Sequence, residues 1–246
     1  MRVAAITDIH ANLPALEATL ADIDAAVVDE IWCLGDVVGY GAHPDRCVEL
    51  VHERCAVCLV GNHDLAVLGA LDVGAFSEAA AAAVWWTRDN VSPRTVEVLR
   101  GLEPRDSREE VALSHASPRD PVWEYVLSTE QADACLDAQS ERIGLIGHSH
   151  VALFFARPAE PEPGEIRGAQ AGDGALLRLD SGGWLINPGS VGQPRDGDPR
   201  AAWLELDTGE LTARFRRVGY DVEAAAAAIL AAGLPRRLAD RLQTGR

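Results

Sequence analysis

The first half of the chain alternates short apolar runs with amphipathic segments. Residues 2–7 are largely β-branched and apolar, and Ile31–Leu34 form a second short apolar run; both patterns predict strands. Between them, apolar residues recur every three or four positions, which predicts a helix over Leu13–Ala26. A second helix is expected after Pro44, and a third strand over Val57–Val60. The alternation of strand and helix is typical of a parallel sheet flanked by helices.

The second half is richer in short strands. A helical segment over Phe76–Leu102 comes first, and we interpret about residues 70–103 as a small helical cap inserted into the domain. Residues 158–174 are rich in Pro, Gly and Glu, which predicts a long exposed loop or hairpin tip. Val222–Leu242 predicts two helices joined at Gly233. Between these segments we expect a helix at 129–138 and strands at 111–113, 143–146, 151–156, 175–179, 184–186, 201–206 and 211–218.

The whole pattern predicts a single α/β domain over residues 1–246. Two sheets pack together in this prediction, with helices outside them and the cap at one side. The apolar fraction of 48% is that of an ordinary globular protein, and a chain of 246 residues can bury a full core. The first apolar run is too short, and polar residues follow it too soon, for the core of a signal peptide. No apolar run is long enough to span a membrane. We therefore expect a cytoplasmic protein.

Polar residues that can bind metal collect directly after five of the predicted strands. In open parallel sheets, ligands bind at that edge. The i, i+2 spacing after a strand also points two side chains to one side. The motifs are Asp8-Ile9-His10, Gly35-Asp36, Gly61-Asn62-His63-Asp64, Ser114-His115 and Gly147-His148-Ser149-His150.

These motifs supply seven potential metal ligands. Imidazole with carboxylate suits transition metals, with Mn expected first and Fe, Zn, Ni or Co as alternatives. Seven ligands are too many for one tetrahedral ion, so they favour two divalent ions that share one carboxylate, with open positions for water and substrate. The seven are Asp8, His10, Asp36, Asn62, His115, His148 and His150.

A pair of divalent ions is suited to phosphoester hydrolysis, because it polarises the phosphoryl group and produces a bridging hydroxide near neutral pH. The reaction also needs a proton donor for the leaving oxygen. His63 is left over from the ligand count and is our candidate, and Asp64 is expected to orient its imidazole and hold it protonated.

Three residues near the motifs are candidates for contacting substrate. Arg119 and Arg195 each lie in a Pro-Arg-Asp loop, and arginine binds phosphate through two nitrogens. The alternative is an ion pair with Asp120 or Asp196 that braces the loop. Tyr40 could line the rim of the site.

Four aromatic residues are further candidates for contacting substrate. Trp85, Trp86, Trp123 and Tyr125 could stack on a nucleobase, although core packing is favoured for them.

The order and spelling of the motifs closely resemble the calcineurin-like metallophosphoesterases. Longer stretches around them, at residues 7–17, 35–41, 117–125 and 187–196, look like a bacterial and archaeal phosphodiesterase-like subgroup. The resemblance implies a sandwich of two mixed sheets flanked by helices. It places one metal on Asp8, His10, Asp36 and His150, and a second on the shared Asp36 with Asn62, His115 and His148. It also implies a role for His63 as general acid or substrate contact.

The net charge of −16 changes the expected partners. A sequence-independent hold on nucleic acid needs clustered basic residues, so nucleic acid is not expected beyond short oligonucleotides or nucleotides. We expect a small phosphorylated substrate, with a homo-oligomer as an open possibility. The leading hypothesis is hydrolysis of a small phosphodiester or nucleotide-type phosphate. Alternatives are a dinucleoside polyphosphate hydrolase, a phosphomonoesterase or protein phosphatase, and a metal-binding scaffold without activity.

Overall fold

A computed structural model describes residues 1–159 and 165–246. Its strands lie close to the predicted apolar runs and form two sheets. They are β1 (Arg2–Ile6), β2 (Glu30–Cys33), β3 (Val57–Cys58), β4 (Arg105–Arg108), β5 (Val111–Ser114), β6 (Ile143–Leu145), β7 (Leu153–Arg157), β8 (Arg167–Gln170), β9 (Leu176–Arg178), β10 (Gly183–Asn187), β11 (Ala201–Asp207) and β12 (Thr212–Val218).

The helices begin at residues suited to their first turns. Asn12, Ser92, Ser128 and Asp221 each accept a hydrogen bond from a backbone N–H of the following turn, which stabilises the helix start. The α-helices are α1 (Leu13–Ala26), α2 (Pro44–Arg54), α3 (Asn62–Val67), α4 (Glu78–Asn90), α5 (Pro93–Arg100), α6 (Thr129–Ala138), α7 (Val222–Ala231) and α8 (Arg236–Asp240), and 3₁₀ turns cover Val73–Ala75 and Arg241–Gln243.

Both sheets are mixed. The first has the strand order β3-β2-β1-β11-β12-β9, and the second β4-β5-β6-β10-β7-β8. In the first, β1, β2 and β3 are parallel; in the second, β5, β6 and β10 are parallel. The remaining pairs are antiparallel. This is the predicted α/β sandwich of two mixed sheets.

One core lies between the two sheets, and another lies between the first sheet and its helices. Alternate residues of a strand point to opposite faces, so Val3 and Ala5 of β1 face the second sheet, where they share a buried cluster with Leu113 and Leu145. Ala4 and Ile6 face the other way and pack with residues of α1 and α2. Helix α6 covers the outer face of the second sheet. Each layer therefore buries its apolar face against a neighbour.

Two strands escaped the sequence prediction, and both are exposed edges of the second sheet. All four residues of β4 and of β8 are exposed, so neither shows the alternation that marks a half-buried strand. Strand β8 lies within 158–174, the stretch predicted as an exposed loop or hairpin tip, and it pairs antiparallel with β7, so a loop over the whole stretch is wrong. The part of that stretch at 160–164 lies outside the described residues.

The helical segment predicted as a cap packs on the main layers. Asp45 of α2 accepts hydrogen bonds from the Ser92 backbone N–H (2.9 Å) and the Thr95 hydroxyl (2.6 Å). Val84 and Leu99 join the core cluster beneath α1 and α2. Within the described residues, no helix combines the length and the apolar character needed to cross a membrane. A cap function for 70–103 stays a prediction.

Candidate metal centre

The loops after the parallel strands hold their residues in an unusual backbone conformation. Five predicted ligands have φ between 50° and 65°, the left-handed region that residues other than glycine rarely adopt: Asp8, His10, Asp36, His148 and His150. Such conformations persist where the surrounding structure enforces them, and they cluster at functional sites.

One group of four buried side chains comprises Asp8, His10, Asp36 and His150. Their donor atoms all lie within 4.8 Å of one another, and the group could hold a metal ion. Burial raises the pKa of Asp8 to about 7. A nearby cation favours the charged form of a buried carboxyl, so this one is suited to a positively charged ligand at neutral pH.

The histidines of this group present lone pairs to its centre. His10 Nδ1 lies 3.1 Å from the Val38 carbonyl oxygen, and His150 Nδ1 lies 2.7 Å from that of Gln193. These contacts require protonated Nδ1 atoms, which leaves Nε2 as an acceptor in each neutral ring. Burial lowers the pKa of both rings well below the usual value, which keeps them neutral. The two Nε2 atoms are 3.1 Å apart, and a cation reconciles two acceptors facing each other.

A second group combines Asp36, His115 and His148, again with donor atoms within 4.8 Å of one another. His115 Nδ1 lies 2.9 Å from the Leu34 carbonyl oxygen, so its Nε2 also presents a lone pair. The Asn62 side-chain oxygen lies 3.2 Å from that Nε2. A carbonyl oxygen and an unprotonated nitrogen form no hydrogen bond, so this contact too suits a cation.

Asp36 belongs to both groups. Its Oδ2 lies 3.5 Å from His10 Nε2 and 3.6 Å from His115 Nε2, and it is buried without a hydrogen-bond partner among the described residues. A buried carboxylate oxygen without a partner is costly, and one between two sets of acceptors is more so. The donor chemistry of each group is suited to a metal ion.

Glycines allow these side chains to come close to neighbouring backbone. A Cβ at Gly61 would collide with the Asp36 carboxylate, and one at Gly147 would collide with Thr7 and approach Asp8. The glycine that precedes Asn62 and the glycine that precedes His148 are therefore required by space.

His63 lies beside the two groups on α3. Its backbone N–H donates to Asp36 Oδ1 at 2.8 Å, and its ring contacts those of His10, Tyr40 and Phe76. Its Nδ1 is buried and has no hydrogen-bond partner among the described residues. Burial lowers the pKa of the His63 imidazole, and the positive charge of Arg195 adds to this effect.

The prediction that Asp64 orients His63 is wrong. Asp64 Oδ1 accepts from the backbone N–H of Val38 at 2.9 Å, and Oδ2 accepts from those of Gly61 (2.9 Å) and Val37 (3.3 Å). Both oxygens are therefore used to hold the loop after β2 against the start of α3. Adjacency in sequence did not bring the carboxylate to the imidazole, because successive residues of a helix point in different directions.

Arg195 and Tyr40 lie together beside the first group. Arg195 Nη2 lies 3.3 Å from the Tyr40 hydroxyl and donates to Gln193 Oε1 at 3.0 Å. The guanidinium stands 5.7 Å from the centre of the Tyr40 ring, and Tyr40 packs on His10 at 4.5 Å. Asp196 pairs with Arg217 rather than with Arg195, so the ion pair considered from the sequence does not form.

Arg119 is placed differently. Its side chain is 47% exposed, and Nη1 lies 3.6 Å from Glu124 Oε1. The carboxylate of Asp120 instead accepts from the backbone N–H groups of Val122 and Trp123. Arg119 therefore forms an ion pair within its own loop. Its partner is Glu124 and not Asp120, the partner considered from the sequence.

Two aromatic residues make contacts that were not expected. Tyr125, for which core packing was favoured, is 44% exposed and stacks on the His148 ring at 4.1 Å. Phe76 contacts both His63 and Trp123, with ring centres 5.0 and 5.1 Å apart. No sequence pattern pointed to Phe76, because it stands alone between a glycine-containing turn and an alanine-rich helix.

The loop after β10 supports the centre from behind. The Asn187 amide donates to the Gly147 carbonyl oxygen at 2.6 Å, and the Ser190 hydroxyl donates to the Asp8 carbonyl oxygen at 2.7 Å. These two bonds hold the loops that carry His148 and Asp8 in place. The Gln193 carbonyl contact to His150 was missed, since a backbone group carries no sequence signal.

Known proteins resemble this chain over its full length. Residues 1–209 match the family described as the calcineurin-like phosphoesterase superfamily domain. An uncharacterized protein of Methanocaldococcus jannaschii is 36% identical, with 99% of this chain and 98% of that protein covered.

Two solved structures are similar as well. A metallophosphoesterase from Sphaerobacter thermophilus has 38% identity and a TM-score of 0.89, with 100% of this chain and 99% of that chain covered. A hypothetical protein from Pyrococcus horikoshii OT3 has 20% identity and a TM-score of 0.78, with 100% of this chain and 98% of that chain covered. This similarity supports the fold. Members of this family are metal-dependent phosphoric ester hydrolases, and the chain offers buried Asp and His groups for metal. The chain belongs to the calcineurin-like phosphoesterase superfamily.

Proposed function

We propose that this protein hydrolyses a small phosphodiester or a nucleotide-type phosphate with two divalent metal ions. The observation that carries the proposal is the position of Asp36 Oδ2, which lies 3.5 and 3.6 Å from the Nε2 atoms of two histidines in different ligand groups. One carboxylate shared by two ligand groups is the arrangement expected of a two-metal phosphoesterase.

Seven residues would hold the ions. Asp8, His10, Asp36 and His150 would bind one ion, and Asp36, Asn62, His115 and His148 the other. Two such ions would polarise the phosphoryl oxygens and lower the pKa of a water molecule enough for attack near neutral pH. Mn is our first choice, because imidazole, amide and carboxylate ligands together suit transition metals.

The proton donor in this proposal is His63. The hydrogen bond from its backbone to Asp36 Oδ1 fixes its distance from the centre, and its Nδ1 is free of protein partners among the described residues. A bound phosphate would place negative charge beside this ring and favour its protonated form, so that the nitrogen can donate to an oxygen of the substrate and deliver a proton to the leaving group. Asp64 contributes indirectly, since it holds the loop from which His63 begins.

Arg195 is the proposed contact for the phosphate charge. It lies beside the ligand groups with Tyr40, and its charge is near enough to affect the pKa of His150 and His63 after the larger effect of burial. Its Nε has no partner among the described residues, so the guanidinium retains a free donor. Arg119, which leans on Glu124, is the weaker candidate.

The proposal is tested by turnover with Mn²⁺ on three substrates: bis-p-nitrophenyl phosphate, p-nitrophenyl phosphate and diadenosine tetraphosphate. We expect the diester to be hydrolysed faster than the monoester. Asp36→Asn, purified identically, controls for contaminating phosphatases. Hydrolysis of diadenosine tetraphosphate alone would favour the polyphosphate hydrolase. Inertness of the Mn-loaded wild type towards all three would overturn the proposal and favour a scaffold.

A further inference from the structure

Tyr125 lies beside the metal centre, and one face of its ring packs against another side chain. That face lies on the His148 ring, with the centres 4.1 Å apart and the planes 28° from parallel. The residue is nevertheless 44% exposed. Because His148 covers one face, the exposed surface belongs to the other face and the edge of the ring.

The loop that carries Tyr125 is braced on both sides of it. Before it, Glu124 Oε2 accepts from the Ser117 hydroxyl at 2.5 Å, and Asp120 Oδ1 accepts from the Trp123 backbone N–H at 3.1 Å. After it, Gln131 Oε1 accepts from the backbone N–H groups of Leu127 and Ser128 at 3.0 and 3.1 Å. None of these bonds uses the tyrosine hydroxyl. A ring held in place before a ligand arrives loses little entropy on binding.

Two further aromatic residues lie close to His63. Trp123, two residues before Tyr125 in the chain, contacts Phe76, and Phe76 contacts His63 edge to face. Phe76 and Trp123 therefore lie on the side of the centre where the proposed proton donor stands. A proton donor serves the leaving group, so the group that departs from phosphorus would lie against this apolar surface.

Polar groups also lie at this centre. Arg195 and Tyr40 offer a positive charge and a hydroxyl, and Tyr40 packs on the His63 ring with the centres 4.3 Å apart. A charged group for phosphate and an exposed aromatic face for a planar group match the two parts of a nucleotide.

We propose that the free face of Tyr125 is a stacking site for a nucleobase, so that the substrate is a phosphoester of a nucleoside. This deepens the proposed function and rests on it for the direction of the leaving group. Stacking on one aromatic ring is worth about tenfold in affinity, and it requires a ring but no hydroxyl.

The test compares two ligands that differ only in the base, adenosine 5′-monophosphate and ribose 5-phosphate. Each is titrated calorimetrically into the Mn-loaded protein, with the same free Mn²⁺ in cell and syringe. We expect the wild type to prefer the nucleotide by roughly tenfold. Tyr125→Leu should bring the ratio of the two dissociation constants close to one, and Tyr125→Phe should keep the wild-type ratio. Trp85→Leu removes an equally exposed aromatic residue elsewhere and should also keep it.

Several results would overturn the stacking site. A ratio near one in the wild type does so without any variant, and so does an unchanged ratio in folded Tyr125→Leu. Loss of the preference in Trp85→Leu would place the base elsewhere. Turnover of bis-p-nitrophenyl phosphate by the same wild-type preparation separates the two proposals. Turnover without a base preference removes only the stacking site, whereas a base preference without turnover on any phosphoester removes only the hydrolase.

Discussion

The floor of the candidate site and its rim are built on different principles. The floor consists of the seven predicted ligands, which are buried and whose histidines are mostly fixed by backbone carbonyl groups. The rim consists of Tyr40, Phe76, Trp123, Tyr125 and Arg195. Within it, Phe76 contacts Trp123 and Arg195 lies over the Tyr40 ring, while Tyr40 and Tyr125 pack on histidines of the floor.

We expect the floor to carry out the reaction and the rim to select the substrate. The floor concentrates acceptors without matching donors, so it is suited to cations, and with two bound ions it would serve any phosphoester. The rim contains partly exposed groups with free faces or donors, and these can distinguish one substrate from another at modest energetic cost. Changes in the floor should therefore abolish turnover, and changes in the rim should shift it by about tenfold.

The largest effect is expected for Asp36→Asn. The amide cannot offer two anionic oxygens, so both ligand groups lose their common member. We expect turnover of bis-p-nitrophenyl phosphate to fall by roughly a thousandfold or more, since metal ions supply several kcal/mol of transition-state stabilisation. A steady-state assay with saturating Mn²⁺ measures this. Turnover within tenfold of wild type would show that Asp36 is not shared.

The next effect is expected for His63→Ala. A poor leaving group needs a proton, so the rate of hydrolysis of a dinucleotide should fall by about 10²- to 10⁴-fold. Hydrolysis of bis-p-nitrophenyl phosphate should fall less, because p-nitrophenolate is stable as an anion and leaves without a proton. Bound metal should stay at the wild-type level. His52→Ala on the exposed face of α2 is the control. Equal losses on both substrates would remove His63 from proton transfer.

Asp64→Ala tests stability rather than chemistry. Three buried backbone N–H groups would lose their acceptor, so the free energy of unfolding should fall by about 3 kcal/mol or more. Urea denaturation of the metal-free protein measures it. Asp221→Ala, which removes an acceptor from one N–H at the exposed start of α7, should cost only about 1 kcal/mol. Equal costs for the two variants would contradict the role given to Asp64.

The smallest effect belongs to the arginines of the two Pro-Arg-Asp loops. Arg195→Gln should lower kcat/KM by about tenfold, the value of one charge-assisted hydrogen bond to phosphate. Arg119→Gln should change it less than about twofold, since an exposed ion pair contributes little. A larger loss of kcat/KM in Arg119→Gln than in Arg195→Gln would show that the phosphate contacts the loop of Arg119 instead.

The same comparison explains what the sequence could predict. Each residue of the floor follows a buried apolar run within one or a few positions, so Asp8, Asp36 and His148 could be assigned from strand ends alone. The rim joins residues that are distant in the chain, such as Phe76 and Trp123, and no local pattern records that they meet. The exposed strands β4 and β8 were missed for a related reason, because they bury no alternate face.

The Asp64 error shows the limit of reading neighbours in sequence as neighbours in space. Its carboxylate was free to turn either towards His63 or towards the backbone of the preceding loops. The three N–H groups of Val37, Val38 and Gly61 decided the outcome, and backbone donors cannot be seen in a sequence. Arg119 makes the same point, because its partner is Glu124 and not the adjacent Asp120.

The central claim is that one carboxylate joins two metal ions, and metal stoichiometry tests it most directly. The protein is reconstituted with Mn²⁺ and desalted. Metal is then counted by inductively coupled plasma mass spectrometry, and electron paramagnetic resonance reports whether the ions are exchange-coupled. We predict two coupled ions per chain in the wild type and loss of both from Asp36→Asn. One ion per chain, or two uncoupled ions that survive the substitution, would contradict the account.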